Sequence, residues 1–331
     1  MRKSGFVISS APFVISSVVE KSLLVLLLAP VLLGCGPRRA PAEPSSRAFP
    51  RAEVPALYSD GGERVVWLAE HYWDKYLDTT VLSWVADSLN GVLPLDLEKE
   101  VGTYTTLLGM LPAESGKVAV GRCFGQFEAY GLANPSSAVF REGVRLLSSY
   151  LGDPNSPVRS DDLYQTLAAG LAKSPLVPEA DRARYAWEAA KFNLNHTGSK
   201  AADFPYIDLS GRRGTLYGVS AEYLVLIFGN PDCNACRELM EQMSSIPAVV
   251  DMQASGRLRV MDIYIDEEVA LWRSKGDTYP SAWINGYDCD GAASANYHIR
   301  AIPSIYLLDA SKTVLLKDAP TDRLLEFLQS L

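Results

Sequence analysis

The chain has 331 residues, enough for two domains of ordinary size. Hydrophobic residues make up 48% and charged residues 21%, a balance typical of a folded globular protein and unlike that of a disordered or membrane-embedded chain. The formal net charge of −8, without a long run of lysine and arginine, argues against a nucleic-acid-binding surface.

The first 34 residues have the pattern of an export signal. Arg2 and Lys3 precede an apolar stretch, SLLVLLLAPVLLG, that is too short to cross a bilayer comfortably. The stretch ends in LLGC, which resembles a bacterial lipobox, and this resemblance implies cleavage before Cys35 and lipidation of that cysteine. An ordinary secretory signal with a chance cysteine is the alternative.

The lipobox resemblance also predicts where the protein resides. A lipid-anchored protein of the periplasm and cell envelope is expected, and Gly36 stands where an inner-membrane retention signal would carry Asp, which favours the outer membrane. Residues 35–60 are rich in Pro, Ser and Arg without a period, so we predict a flexible linker that holds the body away from the membrane.

Residues 61–197 predict a mostly α-helical domain of four to six helices. Its first helical segment, ERVVWLAEHYWDKYLD, places apolar residues on one face and charged residues on the other. The segments SAVFREGVRLLSSYLGD, DDLYQTLAAGLAKS and PEADRARYAWEAAKFNLN repeat the pattern. No residue in this domain indicates what it does.

Residues 198–331 change to an α/β pattern. FPYIDLSGRRGTLYGV predicts a hairpin with its turn at residues 210–214, and EYLVLIFGN predicts a central strand covered on both faces. CRELMEQMSSIPAVVDMQASG is helical, RLRVMDIYID is a strand and EEVALWRSK is a short helix. IPSIYLLDA and KTVLLKDA are strands, and TDRLLEFLQSL is a closing helix, so we expect a mixed sheet flanked by helices.

Two cysteines stand where the central strand gives way to its helix. Cys233 is expected at the helix N-terminus, whose free N–H groups stabilise a thiolate. Cys236, one turn further on, can then attack a mixed disulfide formed by the first cysteine. This arrangement predicts a redox-active pair with Cys233 as the nucleophile and Cys236 as the resolving thiol.

The order of elements resembles the thioredoxin fold, and more specifically bacterial thioredoxin-like lipoproteins of the TlpA/ResA type that carry a helical N-terminal domain of unknown function. The stretches that carry the resemblance are HYWDKYLDT, ADFPYIDLSGRRGTLY, FGNPDCNAC, IPSIYLLD and VLLKDAPTDRLLEFL. The resemblance implies that Pro303 is cis and that the backbone of Ile302 pairs with an incoming substrate strand. It further implies protein thiols or disulfides as substrates, an electron-donating redox partner, and no cofactor.

Departures from thioredoxin bear on the direction of the reaction. Asp232 precedes the first cysteine where thioredoxins usually carry Trp, and the intervening dipeptide contains no His. These features favour a disulfide reductase over a strong oxidant. Ile227 stands where thioredoxin buries a proton-relaying acid, so Glu238 or another carboxylate would have to replace that acid.

Two other functions compete with redox catalysis. A metal carrier could use Cys233, Cys236 and His298, although zinc would require four ligands and we predict no metal site. A non-catalytic thioredoxin-fold binding protein is the second alternative, yet such proteins usually lose a cysteine and this chain keeps both. The two further cysteines, Cys123 and Cys289, could form an interdomain disulfide, serve as secondary redox thiols or stay unpaired.

Overall fold

A computed structural model of the protein describes residues 46–80 and 89–331. The predicted signal peptide, Cys35 and residues 36–45 of the predicted linker lie outside the described residues. The helical part and the α/β part belong to one compact unit. No helix in the described part of the chain combines the length and apolar character needed to cross a bilayer.

The helical part contains six helices among its described residues, in agreement with the four to six that the sequence predicts. They are α1 Gly61–His71, α2 Pro94–Leu108, α3 Ala113–Ala133, α4 Val139–Gly152, α5 Asp161–Leu171 and α6 Glu179–Phe192. Side-chain caps fix where two of them begin, because Asp60 accepts a hydrogen bond from the Glu63 amide and Ser160 accepts one from the Leu163 amide.

Aromatic side chains fill the core of the helical part. Trp73 is buried and its ring centroid lies 5.0 Å from that of Phe127 and 5.4 Å from that of Tyr104. Phe49 joins this cluster, with its ring centroid 5.5 Å from that of Trp73. Phe49, which lies within the predicted linker, is thus partly buried against the core of the helical part.

The α/β part is built on one seven-stranded mixed sheet, in the order β2-β1-β5-β4-β3-β6-β7. β3 runs parallel to β4 and antiparallel to β6, and its apolar side chains are buried on both faces. The sequence did not predict β5, which pairs with β4 and β1. The strands are β1 Pro205–Asp208, β2 Arg213–Thr215, β3 Tyr223–Gly229, β4 Leu258–Tyr264, β5 Ile284–Tyr287, β6 Ser304–Asp309 and β7 Val314–Leu316.

Helices and loops cover both faces of this sheet, and each face has its own apolar core. The helical stretch predicted after the second cysteine is interrupted at Pro247, because proline cannot continue the hydrogen bonding of a preceding helix. The helices are α7 Asn234–Ser245, α8 Pro247–Ala254, α9 Val269–Ser274, α10 Ala292–Asn296 and α11 Thr321–Gln329, and 3₁₀ turns occupy Leu216–Gly218 and Gly276–Thr278.

A buried ion cluster joins the helical part to the α/β part. Arg300 donates to the Asp161 carboxylate at 2.7 Å and to the Gly152 carbonyl. Lys317 lies 3.6 Å from the other Asp161 oxygen, and Asp318 accepts from Arg300 at 3.4 Å. Because these charges are removed from water, each depends on its neighbours for compensation, and the two parts are held in a defined arrangement.

Candidate active site

Cys233 lies at the junction between β3 and α7, as the sequence predicts. It is the N-cap residue of α7, and its Sγ accepts a hydrogen bond from the Cys236 amide at 3.2 Å. The helix directs its first free N–H groups toward this sulfur, which favours negative charge there. Cys233 is partly exposed, so a sulfur from outside can reach it.

Cys236 lies one turn into α7 and is 9% exposed. Burial, followed by the neighbouring Cys233 sulfur, raises the pKa of the Cys236 thiol well above its usual value. A buried thiol of this kind is a poor nucleophile until its proton is removed. The site therefore requires a group that accepts this proton.

The Ile302–Pro303 peptide bond is cis, as the resemblance implied. The Ile302 carbonyl lies 3.7 Å from the Cys233 sulfur, within hydrogen-bonding distance of the thiol. In the described part of the chain, the Ile302 amide makes no hydrogen bond to another backbone group. The structure thus brings together Cys233, Cys236, Ile302 and Pro303, and leaves a free backbone donor beside the nucleophile.

A buried acid that the sequence reading missed stands beside the pair. Asp262 is 4% exposed and lies on β4, directly opposite Ile227 on β3. Burial raises the pKa of its carboxyl group to about 7, and Asp262 is among the groups that raise the pKa of Cys236. Gly229 leaves space for the Asp262 carboxylate, because a Cβ atom at position 229 would stand 3.0 Å from the Asp262 Oδ2 atom.

The acid absent at Ile227 thus has a buried counterpart in Asp262 on the adjacent strand. Glu238, the replacement considered from the sequence, is exposed. The signal that could have identified Asp262 is the single acid within the apolar strand RVMDIYI, since a charged residue seldom faces a core without a purpose.

Tyr279 completes the surroundings of the pair. Burial raises the pKa of its hydroxyl group above the usual value, with smaller contributions from Asp262 and from both cysteines. The hydroxyl group of Tyr279 is therefore electrostatically coupled to the pair and to the acid. Nothing in the local sequence marks this tyrosine, because it lies in a loop far along the chain.

The charged residues next to the pair are engaged with partners of their own. Asp232 lies 3.4 Å from the Lys275 ammonium group, and Arg237 donates to the Asn234 side chain. Lys275, which the sequence analysis did not identify, therefore places a positive charge beside the residue that precedes the nucleophile.

The His298 side chain packs against the helical part. Its ring centroid lies 4.7 Å from that of Phe192, and burial lowers the pKa of the imidazole to about 4, assisted by the charges of Arg300 and Lys317. Within residues 46–80 and 89–331, no three His, Cys, Asp or Glu side chains form a group able to hold a metal ion. The structure thus does not assemble the metal-binding set of Cys233, Cys236 and His298.

The other two cysteines within residues 46–80 and 89–331 are both unpaired. Cys123 is buried in α3, and burial raises the pKa of its thiol well above the usual value. Cys289 is partly exposed in a loop, where Asp290 lies 3.4 Å from its sulfur. The interdomain disulfide considered from the sequence is absent from the structure.

Comparison with known proteins shows similarity along most of the chain. A crystal structure of a thioredoxin-like protein from Bacteroides caccae is 30% identical, covers 86% of this chain and 99% of its own, and superposes with a TM-score of 0.73. Residues 34–195, which include all six helices of the helical part, match a family described as a domain of unknown function, DUF5106. A search among curated proteins found no match.

Shorter structures match part of the chain. The C-terminal domain of an uncharacterized protein from Bacteroides fragilis is 41% identical over 41% of this chain and 98% of its own, with a TM-score of 0.39. The thioredoxin domain of a thiol-disulfide oxidoreductase from Bacteroides vulgatus is 21% identical over 41% of this chain and 96% of its own, with a TM-score of 0.36.

Proposed function

Because this chain belongs to a family of thioredoxin-like proteins, we propose that it is an extracytoplasmic thiol–disulfide oxidoreductase that reduces disulfides through Cys233 and Cys236. The observation that carries the proposal is the position of the Cys233 sulfur, 3.2 Å from the Cys236 amide and 3.7 Å from the carbonyl of the cis-Pro303 peptide. An exposed sulfur at a helix N-terminus with a resolving thiol behind it has the geometry of disulfide exchange.

The reaction has two steps. The Cys233 thiolate attacks one sulfur of a substrate disulfide, so that a mixed disulfide forms and the other substrate sulfur leaves as a thiolate and takes a proton. Cys236 then loses its proton, attacks the Cys233 sulfur and releases the second substrate thiol. The substrate gains two electrons and two protons, the cysteine pair becomes a disulfide, and an electron-donating dithiol partner must reduce it again.

Asp262 is the group we assign to the proton of Cys236. A carboxyl group with a pKa of about 7 is divided between its two protonation states near neutral pH, which suits a proton acceptor. It lies behind the pair in the core, on the side of the buried thiol.

The anchoring of the protein is a second part of the proposal. LLGC supports lipidation at Cys35, which would tether the protein to the envelope, at the outer membrane and facing the periplasm. Mass spectrometry of the N-terminal peptide would detect a diacylated Cys35. An unmodified N-terminus created by cleavage elsewhere would contradict the anchor and leave the redox proposal intact.

Replacement of the resolving thiol tests the redox function. In the Cys236→Ser variant we expect Cys233 to remain bound to substrates as mixed disulfides, because the second attack is lost. Non-reducing electrophoresis and mass spectrometry would detect these adducts. Cys289→Ser, which removes a partly exposed cysteine away from the pair, is the matched control and should trap nothing.

The reduction potential tests the direction of the reaction. Equilibration with dithiothreitol or glutathione buffers should give a two-electron couple near that of thioredoxin, about −270 mV. A value near about −120 mV would identify an oxidant and overturn the reductase assignment. If no couple is measured and Cys236→Ser traps nothing, the protein is a non-catalytic thioredoxin-fold binding protein or an accessory metal carrier.

A further inference from the structure

A pocket of about 220 Å³ opens beside the redox pair and is lined by both parts of the chain. One side consists of Ala235, which stands between the two cysteines, and of residues 301–303 around the cis peptide bond. The opposite side consists of Pro154, Asn155 and Arg159, from the loop that joins α4 to α5 in the helical part. The helical part therefore reaches the active site.

Buried hydrogen bonds and ion pairs hold this loop in place. The Arg159 guanidinium donates to the Ala319 carbonyl at 3.2 Å and lies 3.8 Å from the Asp318 carboxylate. Asp161 directly follows the loop, and its carboxylate accepts a hydrogen bond from the Arg300 guanidinium at 2.7 Å. Arg300 stands two residues before Ile302 in the chain. Because Asp318 and Asp161 are both buried, these pairs define where the loop stands relative to the cis peptide bond.

The backbone next to the pocket indicates what enters it. The Ile302 amide has no backbone partner in the described part of the chain, and the Cys233 sulfur lies beside the Ile302 carbonyl. A polypeptide whose disulfide reaches Cys233 can therefore pair its own backbone with Ile302. Its neighbouring side chain would then face the pocket, whose volume is below the range of about 300–1,000 Å³ typical of whole small-molecule sites.

We propose that the α4–α5 loop is a specificity-determining wall of the active site. The substrate is a disulfide within an extended polypeptide segment, one side chain of which occupies the pocket between Asn155 and Ile302. This inference rests on the proposed function. It gives the helical part a role, since the loop narrows access to Cys233 and selects segments that fit between the two parts.

Filling the pocket from the helical side tests the proposal. Asn155 is exposed and its side chain can be enlarged with Asn155→Trp. Two probes with the same leaving thiol are compared: a short linear peptide whose cysteine is in mixed disulfide with 2-mercaptoethanol, and bis(2-hydroxyethyl) disulfide. We expect the exchange rate with the peptide to fall about tenfold or more, and the rate with the small disulfide to stay within about twofold.

One further variant serves as the control. Ser136→Trp places the same ring on an exposed loop residue of the helical part, between α3 and α4, and should change neither rate. The rate with the small disulfide also reports whether Asn155→Trp retains an intact redox pair.

The outcomes separate the two proposals. An equal fall of both rates in Asn155→Trp, or an unchanged rate with the peptide, would overturn the assignment of the loop as a substrate wall. A wild-type protein that reacts with neither probe would instead overturn the proposed oxidoreductase function.

Discussion

Asp161 and Asp262 are both buried acids, but their surroundings differ. Asp161, at the junction with the helical part, is compensated by Arg300 and Lys317, and burial together with the carboxylate of Asp318 raises its pKa to about 6. Asp262, behind the redox pair, has one oxygen without a hydrogen-bond partner in the described structure, and its pKa is raised to about 7 by burial alone.

The comparison distinguishes two uses of a buried charge. A carboxylate surrounded by cations stabilises an arrangement, because its removal leaves those cations uncompensated. A carboxyl group buried without a counter-ion weakens the fold when ionised, and such a cost is common where a group must exchange a proton. We therefore expect Asp161 to act in assembly of the two parts and Asp262 to act in the reaction.

The largest expected effect comes from Asp161, in the ion cluster that joins the helical part to the α/β part. Asp161→Ala should lower the free energy of unfolding by about 3–5 kcal/mol, because Arg300 and Lys317 lose their compensating charge. Urea denaturation at pH 7 measures the change. Glu114→Ala, which removes an exposed carboxylate paired with Lys117, is the control and should leave the midpoint unchanged. An unchanged midpoint in Asp161→Ala would show that the ion cluster does not hold the two parts together.

Asp262→Asn should have the opposite effect on stability. The pKa of this carboxyl group is 3.8 when unperturbed and about 7 in the folded protein, so the folded state binds the proton more tightly. Wild-type stability should therefore fall as pH rises from about 4 to about 7, and the variant should be more stable than wild type at pH 8 by about 1–4 kcal/mol.

The same variant should impair the reaction. Release of product from the mixed disulfide should slow in Asp262→Asn, because Cys236 has lost its proton acceptor, whereas formation of the mixed disulfide by Cys233 should be little affected. Single-turnover kinetics separates the two steps. A variant that is stabilised at pH 8 but resolves the mixed disulfide at the wild-type rate would remove Asp262 from the mechanism.

The smallest expected effect concerns His298, whose pKa is lowered to about 4. Its unfolded form binds a proton more tightly, so its contribution to stability is present above about pH 6.5 and is lost as pH falls toward 4. This trend opposes that of Asp262 over much of the same range. Besides Arg300 and Lys317, the charges that act on His298 are those of Lys191 and Glu188.

Replacement of Asp262 and His298, singly and together, would separate their opposite effects on the pH dependence of stability. Asp262→Asn alone should expose the His298 trend, a loss of about 1–2 kcal/mol as pH falls from 6.5 to 4. Adding His298→Phe should remove that loss, and any slope that remains reports other groups that titrate in this range, among them Asp161 with its pKa raised to about 6. Chemical denaturation at a series of pH values measures both profiles, and an unchanged slope after His298→Phe would assign the trend to another group.

The sequence predicted β3 and β6 from their continuous apolar runs and missed β5. β3 and β6 were predicted because their side chains are buried on both faces of the sheet. β5, with the sequence INGY, was missed because it has only four residues and contains Asn and Gly, which are disfavoured in strands. Its pairing with β4 and β1 decides its conformation.

The first helix shows a similar division. The periodic pattern predicted a helix through residues 63–78, whereas α1 ends at His71. The aromatic residues beyond that end are still buried, since Trp73 and Tyr76 pack against Phe49. The pattern therefore identified which side chains are buried, and tertiary packing decided the backbone that carries them.

The sequence alone determined the features that depend on neighbours along the chain. The spacing of Cys233 and Cys236 and the buried strand before them define a cysteine at a helix N-terminus, because strand, turn and helix are local structures. Tertiary structure decided what surrounds the pair: the Ile302 carbonyl beside Cys233, the carboxyl group of Asp262 that acts on Cys236, and the loop that carries Asn155, which lines a pocket together with Ala235. These groups are far apart in sequence, and only strand pairing and the buried ion cluster bring them to one site.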